Sequence, residues 1–122
     1  MPKHVLVVED DHTLNSAFET ILTKEGYKVT SSYNGQEALD FLADNSDSVD
    51  LILLDLLMPV MSGIEFLEHF DVKKHEVPVI VFSNLDSQKD IDRAYELGAE
   101  KYMLKAWASP KELVKIVKDT VG

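Results

Sequence analysis

Cysteine is absent from the 122 residues, so neither disulfides nor thiolate metal sites contribute. Long apolar runs are absent too. The N-terminal MPKHVLVVEDD is cut short by acids after a few apolar residues, which fits neither a signal peptide nor a membrane span. Positive charge is scarce: 12 Lys and Arg stand against 22 Asp and Glu, for a formal net charge of -10. An acidic surface repels a phosphate backbone, so direct nucleic-acid binding by this domain is not expected. Proteins, ions or small molecules are the expected partners, and a soluble cytoplasmic chain forming one domain over residues 1–122 is the expected setting.

What is present is a regular alternation. Val5 to Val8 is an apolar run ending in Glu9-Asp10-Asp11, followed by helical spacing through Leu14, Ala17, Phe18, Ile21 and Leu22 and a stop at Gly26. Tyr27 to Ser31 favours a strand, Asn34-Gly35 a turn, and Gln36 to Ala43 a helix. The stretch Val49 to Gly63, VDLILLDLLMPVMSG, holds a run from Leu51 to Leu54 that reads as a strand buried on both faces. A third helix is expected from about Ser62 to Phe70, a fourth strand over Val77 to Phe82, and a helix over Ser87 to Leu97. Lys101 to Leu104 makes a fifth strand, and Ser109-Pro110 caps a last helix with Leu113, Val114, Ile116 and Val117 inward. Five strands alternating with five helices predict an α/β fold: a parallel sheet, doubly wound, in three layers αβα.

The strand ends of such a sheet share one edge, where open α/β folds place their ligands. Asp55, at the tip of the Leu51–Leu54 strand, either serves a site there or merely caps the next turn. Glu9 and Asp10 meet it if their strands are neighbours, and three close carboxylates call for a cation. With only oxygen ligands at the strand tips, Mg²⁺ or Mn²⁺ is favoured over Zn²⁺. Asp10 and Asp55 are expected as direct ligands, Glu9 through water, and the Leu57 backbone carbonyl as a further ligand; Asp11 ranks lower, being placed in the turn into the first helix. Ser83 ends the fourth strand and Lys105 the fifth. A metal, an ammonium and a hydroxyl around one carboxylate suit Asp55 as a nucleophile toward a phosphoryl group.

At these residues the sequence resembles the receiver domain of two-component response regulators. The likeness rests on VLVVEDD, LLDLLMPVMSG, VIVFSN and GAEKYMLKAW and spans the whole chain. It implies a flavodoxin-like strand order of 2-1-3-4-5 and phosphoryl transfer to Asp55 from a phosphohistidine on a sensor histidine kinase or phosphotransfer protein. It further implies Mg²⁺ held by Glu9 and Asp10, Ser83 and Lys105 on the phosphoryl group, and Tyr102 as the aromatic whose rotation reports the state. Output then passes to a downstream protein or output domain through the fourth helix, fifth strand and last helix, with Tyr95, Lys101, Tyr102 and residues 111–118; the chain would be a monomer or a weak homodimer through that face.

Two departures from the family pattern stand out. Ala106 follows Lys105 where the family usually has proline, so the peptide is either cis under strain or trans with a differently aimed loop. Leu57 and Leu85 are apolar at two loop positions that tune loss of the phosphoryl group, and are expected to restrict water there. The rival readings are a phosphatase using the same aspartyl phosphate and an interaction or flavin-binding module without phosphotransfer. Leu57 stands where the phosphatases commonly place a second acid, and no phosphate-cradling glycine loop follows the first strand.

Overall fold

The computed structural model describes residues 2–84, 87–107 and 109–122. Five strands, β1 (His4–Val8), β2 (Lys28–Ser32), β3 (Leu51–Leu54), β4 (Val79–Ser83) and β5 (Lys101–Leu104), form one parallel sheet in the order β2-β1-β3-β4-β5. The expected order and winding are therefore observed. β1 and β3 are neighbours, with Val8 opposite Leu54, so the two acid-bearing tips lie side by side.

Six α-helices cover the sheet among the described residues: α1 (His12–Lys24), α2 (Gly35–Asn45), α3 (Gly63–His69), α4 (Val72–His75), α5 (Gln88–Glu96) and α6 (Pro110–Val121). The one beyond the expected five is α4, a single turn capped by the Asp71 side chain through Lys74 N at 3.0 Å. Four residues, VKKH, carry no readable period. Pro78 precedes β4 instead of lying in it, and its carbonyl accepts from Ile52 N at 3.0 Å, a bond that needs no N–H from proline.

The two-residue period of the strands divides the core. Leu6, Val8, Ile52, Leu54, Val79 and Val81 face Ala38 and Leu42 of α2, Phe66 and Leu67 of α3 and Ala94 of α5. Val5, Val7, Leu51, Leu53, Ile80 and Phe82 face Phe18 and Leu22 of α1 and Leu113 and Val117 of α6. With both faces covered, the central strands are apolar throughout. Polar groups collect at the strand ends.

The end of α6 is fastened to its surroundings. Lys118 Nζ donates to Glu25 Oε2 at 3.0 Å, Lys101 Nζ to Thr120 Oγ1 at 2.7 Å, and the Tyr27 hydroxyl to the Gly122 carbonyl at 3.3 Å. Lys118, expected on the output face, thus turns toward α1. No helix among the described residues is long and apolar enough to cross a membrane.

Candidate functional site

Each acid of the site stands where a buried strand gives way to a loop. Glu9 follows β1 and is 2% exposed, Asp55 follows β3 and is 4% exposed, and Asp10 is half-buried. The three offer carboxylate oxygens that all lie within 4.8 Å of one another. Asp11 does what its position suggested: its carboxylate accepts from Leu14 N at 3.1 Å and caps α1.

Lys105 reaches this group from the end of β5. Its ammonium lies 3.0 Å from Asp55 Oδ2 and forms a second ion pair with Glu9. The described peptide bonds are all trans, the Lys105–Ala106 bond included, so the trans alternative holds and the lysine still arrives. Burial alone would lower the Lys105 pKa, but its hydrogen bonds to Glu9 and Asp55 outweigh that and hold it above the ordinary value.

Glu9 is the electrostatic outlier. Burial pushes its pKa up to about 7 against the pull of Lys105 and of the Asp11 amide, with the nearby Asp55 charge adding to the rise. A carboxyl so reluctant to ionise is one a divalent cation would stabilise in its charged form. The donor set therefore fits a hard cation. Glu9, whose Oε2 already accepts from Asp11 N at 3.1 Å and whose Oε1 pairs with Lys105, is the natural one to act through water.

The loop after Asp55 is built against it. Leu57 N donates to Asp55 Oδ1 at 3.3 Å, and Leu57 itself is 57% exposed. Ser62 and Glu65 form a reciprocal cap on α3, which brings Gly63 onto the Asp55 backbone: a Cβ there would stand 2.4 Å from the Asp55 carbonyl oxygen. Gly63 N donates to the Leu56 carbonyl at 3.0 Å. Only glycine permits this approach.

Ser83 ends β4, fully buried and opposite Leu104 in the ladder. Tyr102, opposite Val81, is half-buried and packs on the core face shared by α2, α3 and α5. Leu85, paired with Leu57 in the sequence reading, lies outside the described residues.

One member of the surroundings was not foreseen. Asn15 is fully buried on α1, and its Nδ2 donates to the carbonyls of Glu9 at 3.0 Å and Ser32 at 3.1 Å. It joins the tips of β1 and β2 beneath the acids. Its one sequence signal was a polar residue on the face that also carries Phe18 and Leu22.

The family profile described as the response regulator receiver domain matches residues 5–118. The chain is 38% identical to the transcriptional regulatory protein CpxR of Escherichia coli over 90% of its own length and 45% of that protein's. It is 33% identical to the response regulator SaeR of Staphylococcus aureus over 91% of its length and 47% of that protein's. It thus spans about half the length of these relatives. A CheY-like response regulator receiver domain protein from Methanospirillum hungatei superposes with a TM-score of 0.91 at 26% identity, covering 99% of this chain and 94% of that one.

Proposed function

Because the chain belongs to the response regulator receiver family, we propose that it accepts a phosphoryl group on Asp55 and that residues 1–122 form one receiver domain. The observation that carries this reading is the meeting of Glu9, Asp10 and Asp55 at neighbouring strand tips, with Lys105 at 3.0 Å from the acceptor carboxylate. The donor is a phosphohistidine on a sensor histidine kinase or phosphotransfer protein. A carboxylate oxygen of Asp55 forms the new bond to phosphorus as the phosphorus–nitrogen bond breaks, and the imidazole leaves with the electron pair.

Asp10 and Asp55, with the Leu57 carbonyl, would hold Mg²⁺, or Mn²⁺ in its place, with Glu9 bound through water. The cation supplies charge neutralisation on the transferring oxygens. Lys105 is positioned to follow the negative charge from the carboxylate to the phosphoryl oxygens, and Ser83 offers a hydroxyl from the next strand tip. The domain does not turn over a substrate; it carries the group and assists its own loading and loss.

A phosphoryl group adds charge and acceptor oxygens at Asp55. Switching a protein from mostly off to mostly on takes about 5.5 kcal/mol, within reach of a few charge-assisted bonds at roughly 1.5 to 3 kcal/mol each. Ser83 draws toward the group, Tyr102 turns inward, and the face of α5, β5 and α6 changes. Tyr95 is 45% exposed on that face, as a contact residue should be. A downstream protein or output domain reads it, or a second copy in a weak homodimer, and the setting is the cytoplasm. The printed name of one relative, the transcriptional regulatory protein CpxR, supports an output in gene control.

The test is incubation with Mg²⁺ and acetyl phosphate, followed by intact mass. Wild type should gain one phosphoryl group and Asp55→Ala none. Equal labelling of both would remove Asp55 from its role.

A further inference from the structure

His12 at the start of α1 and Tyr33 on the β2–α2 loop lie on different elements at the carboxyl edge of the sheet, yet their rings stack in parallel, with centroids 4.0 Å apart and planes 3° apart. Both flank the acids. His12 is the first residue of α1, two positions after Asp10, and Tyr33 directly follows Ser32, the last residue of β2. The Ser32 carbonyl accepts from Glu9 N at 3.0 Å as well as from Asn15.

Tyr33 is itself held in place. Its backbone N–H donates to Glu37 Oε1 at 3.0 Å, and two residues on Gly35 N donates to the Met61 carbonyl at 3.2 Å. A Cβ at Gly35 would stand 2.8 Å from Met61 Cγ, so the β2–α2 loop is packed without slack against the loop that follows Asp55. His12 on Tyr33 completes a chain of contacts from the β1–α1 loop, through the β2–α2 loop, to the β3–α3 loop.

We infer that the His12–Tyr33 stack is a positioning element for the cation-binding acids: it fixes the start of α1 against the β2–α2 loop, and so fixes where Asp10 stands relative to Asp55. The inference rests on the reading of these acids as Mg²⁺ ligands. Asp10 sits between Glu9 in the sheet and His12 on Tyr33. Asn15 and the Asp11 N–H already tie the first turn of α1 to Glu9 and Ser32, and the stack adds a hold on the exposed side of the helix start. The imidazole acts here as a flat surface and touches no phosphoryl group or metal.

The experiment is a calorimetric titration of the full chain with MgCl₂ at fixed pH and ionic strength. His12→Ala and Tyr33→Ala should each weaken Mg²⁺ binding by about tenfold, as loss of outer-shell support does. The double variant should be no weaker than either single one, because both remove the same contact. His12→Phe, which keeps a stacking ring and lacks the imidazole nitrogens, should bind like wild type. His12 is exposed, so its variants are expected to melt as wild type does. If His12→Ala binds Mg²⁺ as tightly as wild type, the inference is wrong; it is equally wrong if His12→Phe is as weak as His12→Ala. Failure of the wild-type chain to bind Mg²⁺ would instead overturn the receiver reading, and this inference with it.

Discussion

The Lys105 ammonium sits 3.0 Å from Asp55 Oδ2 and pairs at the same time with Glu9, so one cation from the last strand is shared by two acids from the first and third. Both acids are almost wholly buried, and the lysine side chain is only 16% exposed. Such a pair is costly to break from one side, because the remaining charge is left without a partner.

Lys105→Met should therefore lower the melting temperature in chelator, and added Mg²⁺ should raise it more than in wild type, since a cation replaces the lost one. Labelling by acetyl phosphate should slow by about a hundredfold, the usual effect of removing one preorganised charge. Thermal melts with and without Mg²⁺ check the first part. A variant that melts like wild type in chelator would show the shared pair to be idle.

Glu9 makes stability depend on pH in a definite direction. Its folded pKa of about 7 lies above the ordinary 4.5, so between these values the folded chain keeps a proton that the unfolded chain has released. Its stabilising contribution is complete below 4.5 and is lost as the pH rises through 7. In chelator, denaturation at several pH values should show wild type losing more stability than Glu9→Gln across that window. Parallel profiles would contradict the shifted carboxyl.

Gly63→Ala tests the approach of α3 to Asp55. The added carbon would lie 2.4 Å from the Asp55 carbonyl oxygen and 2.7 Å from Leu56 Cα, both backbone atoms with little room to yield. A loss of about 1 to 3 kcal/mol in urea denaturation is expected, along with slower labelling at Asp55. Unchanged stability would mean that the loop accommodates the methyl freely.

Leu57→Asn tests the apolar residue beside Asp55, the proposed acceptor. An amide there can orient water, so loss of the phosphoryl group should quicken several-fold, followed by intact mass after removal of the donor. An unchanged half-life would dispose of Leu57 as a barrier to water.

Much of this site was legible because its residues interrupt apolar runs. Val5–Val8 ends in Glu9-Asp10, Leu51–Leu54 in Asp55, Val79–Phe82 in Ser83, and Lys101–Leu104 in Lys105, so the position of each polar group follows from the strand before it. What was hidden depends on pairs distant in the chain. Asn15 looks like a flaw in a helical stripe until β1 and β2 put two carbonyls beneath it. His12 opens α1 and Tyr33 lies in the loop after β2, and no local pattern announces their stacking. The peptide after Lys105 could be read either way from Ala106, since only the arrival of the ammonium at Asp55 shows that a trans bond suffices.

The ties from Lys118, Thr120 and Gly122 to α1, β5 and Tyr27 all fall within the final turn or so of α6. Leu113 and Val117, both buried, hold the helix to the core before that turn. Packing and polar bonds thus divide the fastening of α6, so that salt or a charge-removing substitution at Lys118 would loosen its last turn and leave the packed part seated.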